Sequence, residues 1–578
     1  MKYTQHLFSL RIANALRESL SDGSYNVDKF LKDLLAGVTV GIIALPLAMA
    51  LAIAIGVAPQ YGLYTAIIAG FITPLTGGSR YSVSGPTAAF VVILYPIVHQ
   101  YGLSGLLLAS IFSGLILIMM ALLRLGRYIQ YIPESVTLGF TGGIAVVIAV
   151  LQVKDFFGLV ISDMPEYFIG KVGVLMQSLA DFSLPTLIVG ISTLVVMLLW
   201  PKLKTAVPAH LIAIIIASIL TYLFNAYGAN VATIGSTFSF TLLDGSIGTG
   251  IPSVLPSFEW PWLRLQPGEN TLVFSWPVVK DLLSAAFAIA MLGAIESLLC
   301  AVVLDGMSGT KHSANSELLG QGIGNIITPF FGGITSTAAI ARSAANFKAG
   351  AVTPFSAMIH AIVILISLLS LSSVLSYMPM AGMAALLLVV AWHMSESHKI
   401  MHLLRKAPAN EIIIFLTCFS LTVFVDMVIA IVAGIVLASL LFMKQIAEMT
   451  KVHDITKHKR LIHLPLPDKW KVYKINGPLF FAAADRVFNE LSHLSDKQNG
   501  VVLYFDAVSI LDSGGVAALY KFIDECHHKN ILLLLADLQF QPLKTLAKAE
   551  FSPDGEKCRL FSTLSDAINE IPLLAMES

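Results

Sequence analysis

Phe71-Ile72-Thr73-Pro74-Leu75-Thr76-Gly77-Gly78 recurs later in the chain as Ile326-Ile327-Thr328-Pro329-Phe330-Phe331-Gly332-Gly333. A second pair follows in the same order, Pro86-Thr87-Ala88-Ala89-Phe90 and then Ser336-Thr337-Ala338-Ala339-Ile340. Gly and Pro are frequent in membrane helices, so one such match has a plain explanation. Two matches in register argue for a duplicated half.

The chain around the repeat is strongly apolar. Only 12% of its 578 residues are Asp, Glu, Lys or Arg, and mean hydropathy is +0.79. A helix that crosses a bilayer needs about 20 mostly apolar residues. Such stretches lie near 34–56, 61–76, 86–99, 103–123, 135–152, 184–200, 206–225, 280–304, 316–331, 338–347, 353–374, 379–395, 411–425 and 427–446. They predict an α-helical polytopic membrane protein with about 14 transmembrane helices, spans 1 to 14.

The stretches at 86–99 and 338–347 are too short to cross as complete helices, and each opens on a Thr-Ala-Ala. The repeat copies sit on spans 2–3 and 9–10, seven spans apart. An odd separation makes the two halves run in opposite directions. Inverted repeats with interrupted helices are the pattern of secondary transporters. A helix that starts in mid-membrane exposes unpaired N–H groups and about half a positive charge. Two such starts facing each other favour an anion. Ser84, Thr87, Thr335, Ser336 and Thr337 are expected to complete its coordination. Irregular backbone at that depth is tolerated where it lines a cavity.

Residues 1–32 are mixed polar and carry no signal-peptide pattern, which predicts a cytoplasmic N-terminal segment. With that end inside, the inner segments collect Lys2, Arg11, Arg17, Lys29, Lys32, Arg124, Arg127, Lys202, Lys204, Lys311, Lys399, Arg405, Lys406, Lys444 and Lys451. The long opposite loop, 226–279, holds Arg264, with Lys280 at its edge. The bias obeys the positive-inside rule, and an even span count returns the C-terminus to the cytoplasm. After Thr450 charges return. Strand-like runs at 472–475, 501–505 and 531–536 alternate with helix-like spacing at 484–494, 513–529 and 540–550, predicting a small α/β domain.

Two ionisable residues stand in the apolar part. Glu296 in span 8 costs about 2.5–3.5 kcal/mol to insert. It reads as a proton or cation coupling site, because burial favours the neutral acid, or as an interhelical hydrogen bond. Arg342, in the first turns of span 10, offers a fork suited to a carboxylate, or a structural partner for Glu296. Asp426 reads as a solvated turn residue, His360 and His393 as packed side chains. Cys300, Cys418, Cys526 and Cys558 are scattered without metal or disulfide spacing. No phosphate loop, metal motif or nucleophile elbow is present. No metal or other cofactor is therefore expected, and no basic stripe points to nucleic acid.

Gly77-Gly78-Ser79-Arg80-Tyr81-Ser82-Val83-Ser84 followed by Gly85-Pro86-Thr87-Ala88-Ala89 resembles the signature of the SulP anion permease family. So do Leu45-Pro46-Leu47-Ala48-Met49-Ala50 and the run from Gly293 to Cys300. Leu511-Asp512-Ser513-Gly514-Gly515 resembles the helix start of a STAS domain. The stretches 296–307 and 340–346 are most similar to C4-dicarboxylate transporters of bacterial members of the family.

The resemblance implies a 7+7 inverted repeat at 33–450. A core of spans 1–4 and 8–11 would move against a gate of spans 5–7 and 12–14, with a cytoplasmic STAS domain at 455–573. It implies a substrate site lined by Leu47, Leu51, Thr87, Ala88, Thr337, Ala338, Ala341 and Arg342. Ion coupling falls to Glu296, with Ser297 and Cys300 beside it, and protons are favoured over sodium. Ser513 is a possible phosphorylation site in the resemblance, or simply the helix cap. The expected function is uptake of C4-dicarboxylates (succinate, fumarate, malate, aspartate) by elevator-like alternating access. The expected setting is a homodimer in the bacterial inner membrane, with a cytoplasmic partner of the STAS domain open. The alternatives are a sulfate or bicarbonate transporter of the same architecture, a membrane-anchored STAS scaffold or sensor, and a passive anion channel.

Overall fold

The computed structural model describes residues 10–21, 25–161, 164–165, 167–203, 205, 207–241, 247–266, 272–273, 275–495, 498–553, 555 and 557–577. Lys2 and Lys204, used above for orientation, lie outside them, as does most of the segment before residue 10. The chain divides into two units, Met1–Ile435 and Val436–Ser578.

Each of the 14 expected spans has a helical counterpart. Spans 1 and 2 are Val27–Ile55 and Pro59–Thr76. Spans 3 and 4 begin with a 3-10 turn at Ala88–Phe90 and continue through Val91–Leu122. Spans 5, 6 and 7 are Glu134–Phe157, Leu184–Leu199 and Ala209–Ala226. Spans 8, 9 and 10 are Trp276–Ser308, Ala314–Ile327 and Ile340–Lys348. Phe355–Leu375, Met380–Met394, Ala409–Phe424 and Met427–Met449 are spans 11 to 14. Among the described residues, nine helices are long and apolar enough to cross a membrane on their own. Spans 9, 10 and 13 are too short, span 2 (18 residues) is not among the nine, and spans 3 and 4 count as one.

Several boundaries differ from the sequence reading. Span 1 starts at Val27, not 34, because Asn26 accepts from the Lys29 N–H and caps the helix within the polar segment. Span 8 starts at Trp276 and runs to Ser308, where Gly309 closes it in the left-handed region. Spans 3 and 4 have no loop between them. They are separated by Gly102 at φ 66, ψ −169, a conformation open essentially to glycine alone. Helices at Phe168–Ser178 and Ser397–Lys406 were not expected.

Spans 1 and 2 pack on span 11, span 4 on spans 8 and 9, and span 10 on spans 1 and 8. Separately, span 5 packs on spans 12 and 13, and span 6 on spans 7 and 12. Small residues permit the tightest crossings. A Cβ at Gly37 would stand 2.6 Å from the Ser356 carbonyl oxygen, and one at Gly41 2.7 Å from the Val363 side chain.

Two straps close the ends of spans 2 and 9. The segment before span 1, which includes the helix Asn14–Ser21, runs beneath them. There Ala13 N–H donates to the Thr76 carbonyl at 2.8 Å and Arg11 N–H to Ser316 Oγ at 3.1 Å. The segment before span 8 does the same at the opposite ends. Glu259 N–H donates to the Phe330 carbonyl at 2.8 Å, and Gln266 Oε1 accepts from Ala58 N–H at 3.1 Å.

In the first unit β1 is Ser84–Gly85, β2 Ser239–Thr241, β3 Ile247–Thr249 and β4 Thr337–Ala338. The second unit holds a five-stranded sheet in the order β5-β6-β7-β8-β9: Lys451–Asp454, Trp470–Asn476, Gly500–Ala507, Leu532–Ala536 and Cys558–Phe561. β5 is antiparallel to β6, and the remaining neighbours are parallel. Alternate residues feed two cores: Tyr473, Val501, Leu503, Leu533 and Leu535 on one face, Val472, Val502 and Leu534 on the other. Sequence reading missed β5, β9 and the helix Leu564–Glu577, which cover an edge and the second face. The sheet begins four residues before the expected edge at 455.

Candidate anion site

The two interrupted spans meet. β1 pairs antiparallel with β4, Ser84 opposite Ala338 and Gly85 opposite Thr337, immediately before the starts of spans 3 and 10. Pairing satisfies backbone groups that lipid would leave bare, and it brings both helix starts to one place. Thr87 caps the first turn of span 3 by accepting from Ala89 N–H at 3.4 Å. Span 10 starts after Ala339 with no side-chain cap, so its leading N–H groups remain available.

Arg342 closes the junction. Its Nη2 donates to the Pro86 carbonyl at 2.6 Å, across from its own half-helix to the other. The residue is 2% exposed, and its Nε and Nη1 have no hydrogen-bond partner. Glu296 approaches from span 8. Its Oε1 accepts a long bond from Thr87 Oγ1 at 3.5 Å, and its buried Oε2 has no partner. Arg342 and Glu296 therefore do not consume each other. A buried guanidinium with spare donors beside two helix starts is suited to a small anion.

The remaining expected residues divide into two groups. Ser297 and Thr337 are structural neighbours: their hydroxyls lie 2.7 Å apart, Thr337 Oγ1 donates to the Gly293 carbonyl, and Ser297 Oγ accepts from Ala338 N–H at 3.3 Å. Thr335 bonds Ser110, and Ser336 bonds Asn325 and Gln321. The hydroxyls of Thr335, Ser336 and Thr337, expected to coordinate the anion, each bond a neighbouring group: Ser110, Asn325, and Gly293 with Ser297. Ala88 and Ala338 are buried, Ala341 exposed, and Leu47 half-buried beside buried Leu51 on span 1, which packs on span 10. Cys300 sits in an apolar cluster with Ala36, Tyr81, Leu304 and Ala338.

Sequence reading missed the polar residues behind the junction. Gln321 and Asn325 hold the loop before span 10, and Asn346 donates to the Tyr81 carbonyl at 3.1 Å. Glu317 Oε2 accepts from both Gly78 and Ser79 N–H at 2.9 Å. On the partner copy of the repeat, Thr65 Oγ1 accepts from Ile334 N–H at 2.7 Å. The only available signal was amide and carboxylate side chains within apolar stretches. Asp426 is exposed and caps span 14 through Val428 N–H at 2.7 Å, as expected for a turn residue. His360 is fully buried. His393 is exposed near the end of span 12, on the outer surface of the helix, and not packed as expected.

In the second unit, Asp512 is the N-cap of Ser513–His528, with Oδ1 accepting from Gly515 N–H at 2.8 Å. The expectation that Ser513 caps this helix is corrected: it is the first helical residue, one position too late, and is exposed.

The profile of the sulfate permease family matches residues 30–418. The chain belongs to that family. A STAS domain profile matches residues 462–567 of this permease. YvdB of Bacillus subtilis (strain 168), a candidate sulfate transporter by its name, is 39% identical over 525 residues, covering 91% of this chain and 94% of the relative. The bicarbonate transporter BicA of Picosynechococcus sp. is 26% identical over 546 residues, covering 89% and 90%. The transmembrane domain of a cyanobacterial BicA superposes with a TM-score of 0.59 at 26% identity, over 72% of this chain and 98% of that one. Murine Slc26a9 in the inward-facing state shares the fold, with a TM-score of 0.80 at 17% identity over 97% and 94%. This permease is thus a multi-pass membrane anion transporter with a C-terminal STAS domain, and not an enzyme.

Proposed function

We propose that this permease takes up C4-dicarboxylates such as succinate, fumarate, malate or aspartate, driven by protons. The observation that carries the reading is Arg342, buried and tied to Pro86 yet with Nε and Nη1 unpartnered at the junction of the two half-helices. One carboxylate of the substrate takes those donors and the N–H groups that open span 10. Glu296, whose Oε1 accepts from Thr87 at the start of span 3, keeps its other oxygen buried and unpartnered. Its ionised form repels a dianion, so a proton on Glu296 accompanies substrate loading.

The cycle is alternating access by an elevator-like movement of a core, spans 1–4 and 8–11, against a gate, spans 5–7 and 12–14. We place both termini in the cytoplasm of a bacterium, with the transport domain at 33–450 in the inner membrane. The STAS domain at 455–573 supports a homodimer and offers a surface for a cytoplasmic partner, with Ser513 open to phosphorylation.

A second reading keeps the machinery and changes the cargo to sulfate or bicarbonate. The sulfate and bicarbonate named for YvdB and BicA favour it. Uptake of labelled succinate and of labelled sulfate into proteoliposomes, each challenged with the other anion unlabelled, separates the two. Succinate uptake that sulfate does not inhibit supports the dicarboxylate reading. Sulfate uptake untouched by excess succinate removes it.

A further inference from the structure

His360 lies on span 11, fully buried, with neither ring nitrogen hydrogen-bonded. Buried polar atoms are paired in the great majority of cases, so two on one ring ask for a cause. The position of the ring supplies one. A short connection joins spans 10 and 11, and Asn346 Nδ2 bonds Ser356 Oγ across it at 2.9 Å. One turn from Asn346 toward the start of span 10 is Arg342, and one turn along span 11 from Ser356 is His360. Residues four apart share a helix face. Arg342 and His360 thus each share a helix face with one end of that bond.

The strand β1 lies beside both residues. A Cβ at Gly85 would stand 2.7 Å from Arg342 Nη1. A Cβ at Gly70 would stand 3.3 Å from His360 Cε1, 3.4 Å from its Nδ1 and 3.4 Å from the Ser84 carbonyl oxygen. Ser84 Oγ is buried and unpartnered as well. The absence of a side chain at Gly70 makes room for the imidazole against the strand that leads into span 3. Arg342 Nε and Nη1, Ser84 Oγ and both nitrogens of His360 are thus five unpartnered polar atoms gathered on one stretch of backbone.

We propose that His360 is a positioning residue for the anion site: its imidazole bonds this set, directly or through one water molecule, and so sets the attitude of Arg342. An imidazole carries one donor and one acceptor nitrogen, which lets it take an N–H or O–H from one neighbour and give its own to another. The inference rests on Arg342 as the anion holder and is indifferent to which anion is carried.

The test compares His360→Leu with His360→Gln in reconstituted protein, using whichever of succinate and sulfate the wild type accumulates. The choice of anion bears on the cargo, and the ratio of variant to wild type bears on His360. His360→Leu fills the space without polar atoms and is expected to raise KM at least fivefold, with maximal rate within twofold. His360→Gln keeps a donor and an acceptor and stays within twofold in both. Ser84→Ala removes one oxygen without disturbing packing and raises KM in the same direction, so it carries the test even if the leucine variant fails to reach the membrane. Equal KM values for the leucine and glutamine variants overturn the proposal, as does an unchanged KM in Ser84→Ala or an effect confined to maximal rate.

Discussion

Gly85 and Arg342 are in contact at the heart of the permease: a methyl group on Gly85 would stand 2.7 Å from Nη1 of the guanidinium. The obstacle is the far end of a long side chain, so the fold tolerates the methyl and Arg342 moves. Gly85→Ala is expected to weaken anion uptake about tenfold, near 1.4 kcal/mol of binding, while the protein keeps its yield and monodispersity. Uptake kinetics on reconstituted protein check it.

Glu296 is the only carboxylate the structure brings to Thr87 among the described hydrogen bonds. Glu296→Gln keeps the shape and removes the titration. Uptake by this variant should no longer rise when an inward proton gradient is imposed, although exchange of internal for external anion continues. Stimulation equal to wild type assigns the proton elsewhere.

Spans 1 and 11 leave no space at Gly37, where a Cβ would meet the Ser356 carbonyl oxygen at 2.6 Å. Backbone cannot swing aside as a side chain can. Gly37→Ala should cost about 1–3 kcal/mol through overpacking, read as a lower melting temperature in detergent.

Asp512 holds two N–H groups in the STAS domain, those of Gly515 at 2.8 Å and Phe481 at 3.1 Å. Asp512→Ala should destabilise that domain by about 1 kcal/mol, the usual cost of a lost N-cap. Denaturant titration of the full chain, followed by a probe in the domain, measures it. Ser513→Ala, one residue along, should leave stability unchanged.

Burial pushes the Cys526 and Cys558 thiols up to about 12. The thiolate is the reactive form. At pH 8 both should resist maleimide in the folded protein and label at once after denaturation. Rapid labelling of either in the native state contradicts the burial.

The repeat was legible because it is written twice, and it led to the meeting of spans 3 and 10 without any side chain being seen. Glu296 and Arg342 were legible because charge in an apolar stretch is expensive. The neighbours of Thr335, Ser336 and Thr337 were not, since they come from far along the chain: Ser110, Asn325, Gln321 and Ser297. The break at Gly102 falls between the apolar stretches 86–99 and 103–123, but its conformation was not legible, because backbone angles leave no trace in apolarity. Edge strand β5 carries Lys451, His453 and Asp454, and so lacks the alternation that marks a half-buried strand.

The segments ahead of spans 1 and 8 are fastened to opposite ends of the same two helices. Spans 2 and 9 are therefore laced at both faces, each lace leading into the half that owns it. The end under residues 10–21 is also held directly, by Ser313 N–H donating to the Gly78 carbonyl at 3.1 Å and by Glu317 accepting from the Gly78 and Ser79 N–H groups, so losing that lace loosens the join without parting the two helices. The short leading segment thus reinforces, from one side, a join that the two helices already make between themselves.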